Sequence, residues 1–539
     1  MPQIFGQQNC VCEWSFVSET AYPDPFNDLE LDVEITGPDG EKKRIPAYWA
    51  GGNEWRLRFA ASEIGRYRYR TICTDAANAS LHGQEGELTV EPYAGENALL
   101  RHGPIAVRDG RFQHADGTAF FWLGDTWWMA NGKRFGWPED FQTLTADRAA
   151  KGFSVIQLCA GFACGMAPFD PRDVNEAGWA WEAGFSRINP AYFDLFDLRI
   201  DWLVRSGLVP CILAGWGYHL LWMGVERMRR HWRYLIARYG AHPVTWCLAG
   251  EGTMPYYGSG QRDADREALR QGWTEIARYV RQVDPYGRPL TMHPEAMTPG
   301  RDAVTDETLL DYEMLQPGHR GYRDLSGAIA HVRDAVARTP PLPVINDEVN
   351  YEGIFGSNWE DMQRLLFWST MLSGAAGFTY GASGIWEFNS REALFGPFPK
   401  GGHWGDVPWE DAYRYAGSLH VGVGRRILEH YPWWEMEPHQ DWVQPAATTA
   451  SPINPYCAGI PRKLRVCFFP YGRRDENDVV ITFAGLEPDL RYRATYVDPR
   501  SGAEHPAGIV EPRADGTSPV PPIPHMRDWV LVLEAEEAG

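Results

Sequence analysis

Residues 209–250, VPCILAGWGYHLLWMGVERMRRHWRYLIARYGAHPVTWCLAG, carry the pattern that decides the fold. Two short apolar runs, VPCILAG (209–215) and VTWCLAG (244–250), flank the amphipathic stretch GVERMRRHWRYLIARYG (224–240). That stretch has helical length and ends at Gly240, a residue type that commonly follows a helix. A strand, a helix and a second strand in this order predict a βαβ unit with parallel strands.

The same alternation extends in both directions along the chain. Plausible helices separate the runs, as AYFDLFDLRIDWLVRSG (191–207) does before the third run. The apolar runs of strand length number eight: FFWLG (120–124), FSVIQLC (153–159), VPCILAG (209–215), VTWCLAG (244–250), PLTMH (289–293), LDYEMLQ (310–316), LPVIND (342–347) and GFTYG (377–381). Eight βα repeats are what a TIM barrel requires. We therefore predict a (β/α)8 barrel over residues 105–425.

The segment ahead of the barrel has a different pattern. LELDVEI (29–35), RIPAYWA (44–50) and EWRLRF (54–59) alternate with period two and are separated by turns rich in Gly, Pro and Asn. Short alternating runs with such turns are typical of a β-sandwich. We expect an antiparallel sandwich over residues 1–95.

Strands return without long helices after the barrel. They are predicted in KLRVCFFPYG (463–472), NDVVITFAG (477–485), RYRATYVDP (491–499) and DWVLVLEA (528–535). PAATTASPINPYCAGIP (445–461), rich in Pro, Ala and Thr, is predicted to be a loop. The complete prediction is a multidomain protein, a TIM barrel flanked by two β-sandwiches, the second over residues 428–539.

Charge and hydropathy exclude some partners. A net charge of −20 and an isoelectric point near 5.2 argue against nucleic acid, because little would neutralise phosphates. The sequence has no run of about 18 apolar residues, so we expect no membrane span. The start lacks the pattern of a secretory signal, which favours the cytoplasm unless a leader has been removed. The sequence is compatible with a homo-oligomer.

Cysteine and aromatic content add to this picture. The nine cysteines lie mostly in apolar stretches, which favours buried thiols over disulfides and suits a reducing compartment. Cys10 and Cys12 form a lone C-x-C pair without a second pair at zinc spacing, so we expect no metal there. The 24 Trp, 24 Tyr and 24 Phe residues offer flat apolar faces of the kind that sugars contact.

Two carboxylates fall at strand ends in the predicted barrel. Glu251 follows strand four and Glu348 follows strand seven. TIM barrels carry their chemistry at the carboxyl ends of the strands, so the two face each other across the mouth. Such a pair can supply a general acid and a nucleophile for a glycosidic bond. The alternative for either residue is a loop carboxylate paired with Arg, and Glu352 is a rival nucleophile.

Other residues at strand ends form a polar and aromatic ring. Sugar recognition needs hydroxyl-binding groups beside aromatic faces, and the ring offers both. Either of its histidines has the alternative role of a core residue with satisfied ring nitrogens. We predict these substrate-binding residues: Asp125, Trp127, Gln157, Trp216, Tyr218, His293, Gln316, His319, Tyr351, Glu352 and Trp386.

Other chemistries find no support in the sequence. It contains no H-E-x-x-H, no paired C-x-x-C, no G-x-S-x-G and no dinucleotide fingerprint. A mechanism that uses two carboxylates requires neither a metal nor an organic cofactor. We therefore expect a carbohydrate substrate and no cofactor.

Five motifs resemble a known family. LGDTWW, INPAYFDLFDLRIDWLVRSGL, LQPGH, INDEVNYEG and GFTYGASGIW occur in order within residues 105–420 and are similar to the apiosidase-like (family 140) glycoside hydrolases. NEWRLRFAASEIGRYRYR resembles the β-sandwich found ahead of that barrel. ATYVDPRSG is similar to its small C-terminal sandwich, sometimes called collagen-binding-like.

The resemblance implies roles for the two carboxylates. The nucleophile position falls on Glu348 and the acid/base position on Glu251. This chain has Ala249-Gly250-Glu251 where the family tends to have Gly-Gly-Asp. Larger glycosidases of the same barrel clan have Asn before the acid, where it binds the sugar 2-hydroxyl, and Gly250 cannot do this.

The function predicted from the sequence is a bacterial, exo-acting, retaining glycoside hydrolase. Its expected substrate is a plant glycoside or small oligosaccharide, with an apioside or arabinofuranoside favoured. An endo-acting glycanase or transglycosylase on a polysaccharide is the first alternative. A non-catalytic carbohydrate-binding protein is the second, although binding alone needs no matched carboxylate pair.

Overall fold

A computed structural model describes residues 3–471 and 480–537. It has three parts in chain order: a region of mainly antiparallel sheets, a parallel barrel, and a second region of antiparallel sheets. Within the described ranges, every helix is too short or too polar to cross a membrane.

The N-terminal region packs two sheets face to face. β1, β8, β7, β3 and β4 form one sheet, and β2, β6 and β5 form the other. Buried residues such as Val33 and Leu57 fill the space between them, which confirms the predicted sandwich. The elements are β1 Gln3–Gln7, β2 Cys12–Val17, α1 Pro25–Asp28, β3 Leu31–Thr36, β4 Lys42–Pro46, β5 Tyr48–Gly51, β6 Glu54–Phe59, β7 Gly65–Cys73 and β8 Glu85–Glu91.

The structure divides the predicted strand RIPAYWA (44–50) into two. β4 ends at Pro46 and pairs with β3, whereas β5 begins at Tyr48 and pairs with β6 in the other sheet. Ala47 lies between the two strands and is buried. A single alternating run in the sequence therefore crosses from one sheet to the other, which period-two alternation cannot reveal.

The central region is a barrel of eight parallel strands, β11 to β18. Around the barrel the strands follow the order β15, β14, β13, β12, β11, β18, β17, β16, and each pairs in parallel with the next. The remaining seam is joined by Asp311 N–H, which donates to Leu290 O, and by Thr291 Oγ1, which donates to Tyr312 O. The strands are β11 Trp122–Thr126, β12 Val155–Cys159, β13 Val209–Leu213, β14 Thr245–Cys247, β15 Leu290–Thr291, β16 Glu313–Leu315, β17 Val344–Asn346 and β18 Gly377–Tyr380.

All eight barrel strands overlap the eight predicted apolar runs, so the predicted TIM barrel is confirmed. Their residues are buried throughout, as expected for strands covered by helices on one face and by the barrel interior on the other. Eight helices pack around the strands: α3 Glu139–Lys151, α4 Pro190–Arg205, α5 His219–Met223, α6 Val225–Tyr239, α7 Arg262–Val283, α8 Tyr322–Ala337, α9 Glu360–Met371 and α11 Ala416–Glu429, which lies between α9 and α3.

A hairpin closes the amino-terminal end of the barrel. Helix α2 (Ala98–Arg101) leads into β9 (Ile105–Arg108) and β10 (Arg111–His114). The ring of Phe112 lies 5.1 Å from that of Trp122 and 5.2 Å from that of Tyr312, both in the barrel. Because this end is filled by aromatic side chains, the open end of the barrel is the carboxyl end of its strands.

The C-terminal region has a six-stranded and a three-stranded sheet, which confirms antiparallel structure after the barrel. Two helices precede these sheets, α10 Trp409–Ala412 and α11 Ala416–Glu429. The strands are β19 Glu437–Pro438, β20 Val443–Gln444, β21 Tyr456–Ile460, β22 Leu464–Phe469, β23 Thr482–Phe483, β24 Leu490–Val497, β25 Glu504–Val510, β26 Ser518–Pro519 and β27 Trp529–Glu537. Residues 477–479 of the predicted strand NDVVITFAG lie outside the described ranges.

The prediction of a loop over residues 445–461 is wrong at its end. Residues 456–460 form β21, which pairs with β22 and is buried over most of its length. Cys457 and Cys467 face each other in that pairing, with their Sγ atoms 2.7 Å apart. The Pro- and Thr-rich composition of the preceding residues obscured a five-residue strand.

Candidate active site

Glu251 follows β14 at the carboxyl end of the barrel. Its φ of 43° lies in the left-handed region, which non-glycine residues seldom adopt. Trp216, in the loop after β13, donates its indole N–H to Glu251 Oε2 at 2.9 Å. The same ring lies over Gly250, where a Cβ would come within 2.3 Å of it. Glycine at 250 thus allows Trp216 to reach the carboxylate.

Glu348 follows β17, and its side chain is almost completely buried, with 5% of the residue exposed. Its Oε1 accepts hydrogen bonds from Gln316 Nε2 and from His319 Nε2, both at 2.9 Å. Its Oε2 lies 3.2 Å from His293 Nε2. Three nitrogen atoms therefore surround this carboxylate, and the loops after β15 and β16 supply them.

Gln316 connects the two carboxylates. Its Nε2 donates to Glu348 Oε1 at 2.9 Å and to Glu251 Oε1 at 3.3 Å. Because both bonds start from one nitrogen, the two oxygens are at most 6.2 Å apart, the sum of the two lengths. An amide that faces two carboxylates must present its NH₂ group, since its carbonyl oxygen cannot donate.

His293 is completely buried between the two carboxylates. Its Nδ1 accepts from the backbone N–H of Glu251 at 3.3 Å, so the proton of the neutral ring is on Nε2. That Nε2 faces Glu348, and it lies 3.7 Å from Oδ2 of Asp347. One ring therefore positions the backbone of Glu251 and the side chain of Glu348.

Asp347 lies deeper in the barrel than the residue that follows it. Its Oδ1 accepts from Thr379 Oγ1 at 2.9 Å and also from Gln157 Nε2. Burial raises the pKa of Asp347 to about 6. Gln157, predicted to bind substrate, thus contacts the layer beneath the two glutamates.

The two glutamates have opposite pKa shifts. Burial, followed by the negative charge of Glu348, raises the pKa of Glu251 to about 7. Burial would also raise the pKa of Glu348, but hydrogen bonds from His293 and His319 outweigh it and hold that pKa at about 2. Near pH 6, Glu251 is therefore mostly protonated and Glu348 is ionised.

Aromatic rings line the same end of the barrel. Trp128 lies 5.5 Å from the ring of Trp216 and 5.4 Å from that of His293. It donates its indole N–H to the Tyr351 hydroxyl at 2.9 Å. The ring of Tyr351 lies 4.7 Å from that of His319. Tyr351 is among the predicted residues, whereas Trp128 was not singled out in the sequence.

Two predicted residues at the end of strand one lie away from this cluster. Asp125 is completely buried and forms an ion pair with Arg148 of α3 at 2.6 Å, so it faces the surrounding helices. It also accepts the indole N–H of Trp127 at 2.7 Å. Trp127 packs against Phe141 of α3. The structure therefore brings Trp128, and not Trp127, to the two glutamates.

Glu352, the rival nucleophile, also has internal partners. Its carboxylate accepts from the Tyr380 hydroxyl at 2.6 Å and from the backbone N–H of Gly417 at 3.0 Å. Burial raises its pKa to about 7. Glu352 lies near the outer face of β18, where α11 covers it.

The remaining predicted residues lie beside the site in two aromatic groups. Tyr218 is buried next to Tyr256 and Tyr257, which follow Glu251 in the chain. Trp386 lies 6.2 Å from the Tyr351 ring and 6.4 Å from that of Trp404. Tyr256, Tyr257 and Trp404 were missed because they occur in loops, where sequence patterns give no position.

Nitrogen donors dominate the surroundings of the two glutamates. Over the described ranges, no group of three or more His, Cys, Asp or Glu side chains is arranged to hold a metal ion. The polar atoms around Glu251 and Glu348 are indole, amide and imidazole nitrogens, which can donate hydrogen bonds to carboxylates.

A TIM barrel with two carboxylates at its mouth is an arrangement that glycoside hydrolases use, and the solved structures similar to this chain carry that class name. A family 5 glycoside hydrolase from Bacteroides vulgatus ATCC 8482 is 20% identical with a TM-score of 0.66, over 80% of this chain and 94% of that one. A structure named glycoside hydrolase is 21% identical with a TM-score of 0.66, over 80% and 97%. Another Bacteroides vulgatus structure is 21% identical with a TM-score of 0.70, over 99% and 100%.

At these identities the likeness concerns the fold, and no curated protein matches the chain. The family is shown by the sequence model described as "Apiosidase-like, catalytic domain", which matches residues 108–435. That span is more than half of the chain, so the chain belongs to the apiosidase-like glycoside hydrolases. A domain of unknown function, DUF5060, matches residues 7–74 in the N-terminal sandwich.

Proposed function

We propose that the chain is a retaining, exo-acting glycoside hydrolase in which Glu348 is the nucleophile and Glu251 the general acid/base. The observation that carries this proposal is the different surroundings of the two residues: two histidines and an amide around Glu348, and an indole N–H on Glu251. These surroundings shift the two pKa values in opposite directions, to about 2 and about 7. A nucleophile must be ionised and a general acid must be protonated at the same pH. Two carboxyl groups with different surroundings meet both needs.

Retention of configuration is supported by the hydrogen-bond donor that the two carboxylates share. Retaining glycosidases hold these groups about 5–5.5 Å apart, whereas inverting enzymes leave about 6.5–9.5 Å for a water molecule. The shared donor Gln316 limits the distance between the two Oε1 atoms to 6.2 Å, the sum of its two hydrogen bonds. A single amide that bridges one oxygen of each carboxylate favours the shorter, retaining spacing.

In the first step a carboxylate oxygen of Glu348 attacks the anomeric carbon, and Glu251 gives its proton to the departing oxygen. His293, His319 and Gln316 keep Glu348 ionised and hold it in place. Trp216 fixes the orientation of the acid. The products of this step are the free leaving group and a glycosyl ester on Glu348.

In the second step Glu251 acts as a base and takes a proton from the attacking water. The negative charge of Glu348 contributes to the raised pKa of Glu251 in the free enzyme. Esterification removes that charge, so the pKa of Glu251 falls and the group becomes the ionised base that hydrolysis needs. The same pair thus changes roles between the two steps.

Exo action is supported by the enclosure of the site on one side. The segment between β18 and α10 carries Trp386, Phe398 and Trp404, whose rings lie within 6.4 Å of one another. Arg134, from the loop after β11, holds this segment by donating to Ala393 O at 2.8 Å. A wall of this kind limits how many sugar units fit beyond the reacting one.

The substrate that we favour is a plant-derived apioside or arabinofuranoside. The family name supports an apioside. Gly250 has no side chain to bind a sugar hydroxyl, which supports a sugar whose 2-hydroxyl needs no partner at that position. Aryl glycosides of several sugars, including these two furanosides, test the proposal with wild type and Glu251→Ala. We expect azide to accelerate the variant and to give a glycosyl azide that retains configuration. Inverted products, or equal activity in both proteins, would contradict the assignment.

A further inference from the structure

Four aromatic rings form a continuous group on the side of the barrel mouth that holds Glu251. They come from the loops after β13 and β14, and we call them the acid-side cluster: Tyr218, Trp222, Tyr256 and Tyr257. Their centroids are 4.8 Å apart for Trp222 and Tyr256, 5.3 Å for Tyr218 and Tyr256, and 5.7 Å for Tyr256 and Tyr257.

The cluster is connected to the acid through the backbone. The N–H of Gly217 donates to Gly250 O at 2.7 Å, which ties the loop of Tyr218 to the residue before Glu251. The N–H of Met254 donates to Glu251 O at 2.8 Å and begins the turn that leads to Tyr257. Burial, followed by the negative charge of Glu251, raises the pKa of Tyr257.

Exposure differs widely among the four rings of the cluster. Tyr218 is completely buried, Tyr256 and Tyr257 are partly buried, and Trp222 is 38% exposed. The cluster thus forms a wall that extends from the protein interior to solvent, and its apolar surface suits the face of a ring.

The position of the acid decides which part of a substrate meets this wall. A general acid protonates the oxygen of the scissile bond, so the group attached to that oxygen lies beside Glu251. We propose that the acid-side cluster is the binding subsite for the leaving group, and that it favours leaving groups with a ring whose face is apolar, aryl or sugar. This inference rests on the proposed roles of Glu251 and Glu348.

The test separates the two chemical steps. The leaving group is present only while the ester forms, and hydrolysis of the ester involves water alone. Tyr257→Ala and Trp222→Ala are compared with wild type on glycosides of one sugar that carry a 4-nitrophenyl, a monosaccharide or a methyl leaving group. Trp434→Ala is the matched control, because Trp434 is 40% exposed and lies beside the hairpin at the opposite end of the barrel.

For Tyr257→Ala we expect kcat/KM to fall about 3–10-fold with ring leaving groups, as for the loss of one aromatic contact, and less than about twofold with methyl. Tyr257→Phe keeps the ring, so we expect it to retain most of the wild-type kcat/KM with ring leaving groups. For Trp222→Ala we expect kcat/KM to fall chiefly with the monosaccharide leaving group, because a sugar extends further toward solvent than a 4-nitrophenyl group. A loss with 4-nitrophenyl alone identifies an aryl subsite, and a loss with both identifies a general ring subsite.

A fluorinated glycoside that traps the ester completes the test. We expect wild type and both variants to recover activity in water at the same rate, while recovery with an added sugar acceptor is slower in the variants. Equal losses with all leaving groups, or slower recovery in water, would overturn the subsite. If wild type forms no ester at all, the proposed function fails instead, and the two failures are thus distinguishable.

Discussion

Glu251 and Glu348 share one hydrogen-bond donor, Nε2 of Gln316, which lies 3.3 Å from the first and 2.9 Å from the second. The shared donor brings two acidic groups together, and their other partners differ. Glu348 has two histidines beside it, whereas Glu251 has an indole N–H and the negative charge of Glu348. The difference in surroundings is what separates their pKa values.

The first prediction concerns the pH dependence of kcat/KM. Ester formation needs protonated Glu251, whose pKa is about 7, and ionised Glu348, whose pKa is about 2. We expect a constant kcat/KM from pH 4 to 6 and a tenfold fall per pH unit above pH 7. Glu251→Ala with an activated aryl leaving group should lose the alkaline limb. A midpoint that stays near pH 7 in that variant would assign the limb to another group.

The second prediction concerns Gly250. A Cβ at this position would come within 2.3 Å of the Trp216 ring, so Gly250→Ala must displace the indole that holds Glu251. We expect kcat to fall by about 10–100-fold, because acid–base catalysis contributes about 10²–10⁴-fold and part of it survives. Gly258→Ala is the matched control, since its Cβ would meet Tyr256 at an ordinary 3.8 Å. Equal activity in both variants would show that Trp216 does not position the acid.

The third prediction tests the role of Asp125. Its ion pair with Arg148 is completely buried, so Asp125→Ala leaves a buried guanidinium without its carboxylate. Breaking such a pair destabilises a protein by about 3–5 kcal/mol, and we expect a clear fall in melting temperature. Asp147→Ala, which removes a more exposed partner of the same Arg148, should destabilise less. A stable Asp125→Ala protein with a raised KM would instead return Asp125 to sugar binding.

The fourth prediction links the pKa of Glu251 to stability. A pKa raised by folding from 4.5 to about 7 stabilises the protein below pH 4.5, and that contribution is lost as pH rises to 7. Glu251→Gln stays neutral and avoids the loss. We expect the variant to gain stability relative to wild type as the pH rises from 5 to 8. The gain in its free energy of unfolding should be roughly 1–3 kcal/mol, seen as a larger difference in melting temperature at pH 8. An equal difference at both values would remove the link between Glu251 and stability.

The sequence predicts the barrel well, because strands buried on both faces appear as continuous apolar runs. It also predicts Glu251 and Glu348, since each follows one of those strands directly. The short strand β21 was missed where Pro and Thr dominate the surrounding composition. Pattern reading thus succeeds where burial dictates the residue types of a whole segment.

Side-chain direction is harder to predict than strand position. Asp125 precedes the pair Trp127–Trp128, and a shift of one residue reverses the face on which a side chain lies. The chain leaves β11 after Thr126, so alternation no longer decides which tryptophan faces the site. Tyr257 and Trp404 lie in loops, where position depends on contacts made by the folded barrel.

The most direct test of the central claim is the mass of the trapped enzyme. Wild type is incubated with a 2-fluoro glycoside of the sugar that it hydrolyses, digested, and sequenced by mass spectrometry, with Glu352→Gln as a matched control. We predict that one sugar unit is attached to Glu348 in both proteins. A sugar attached to Glu352 in wild type, or no attachment despite turnover, would contradict the assignment of Glu348 as the nucleophile.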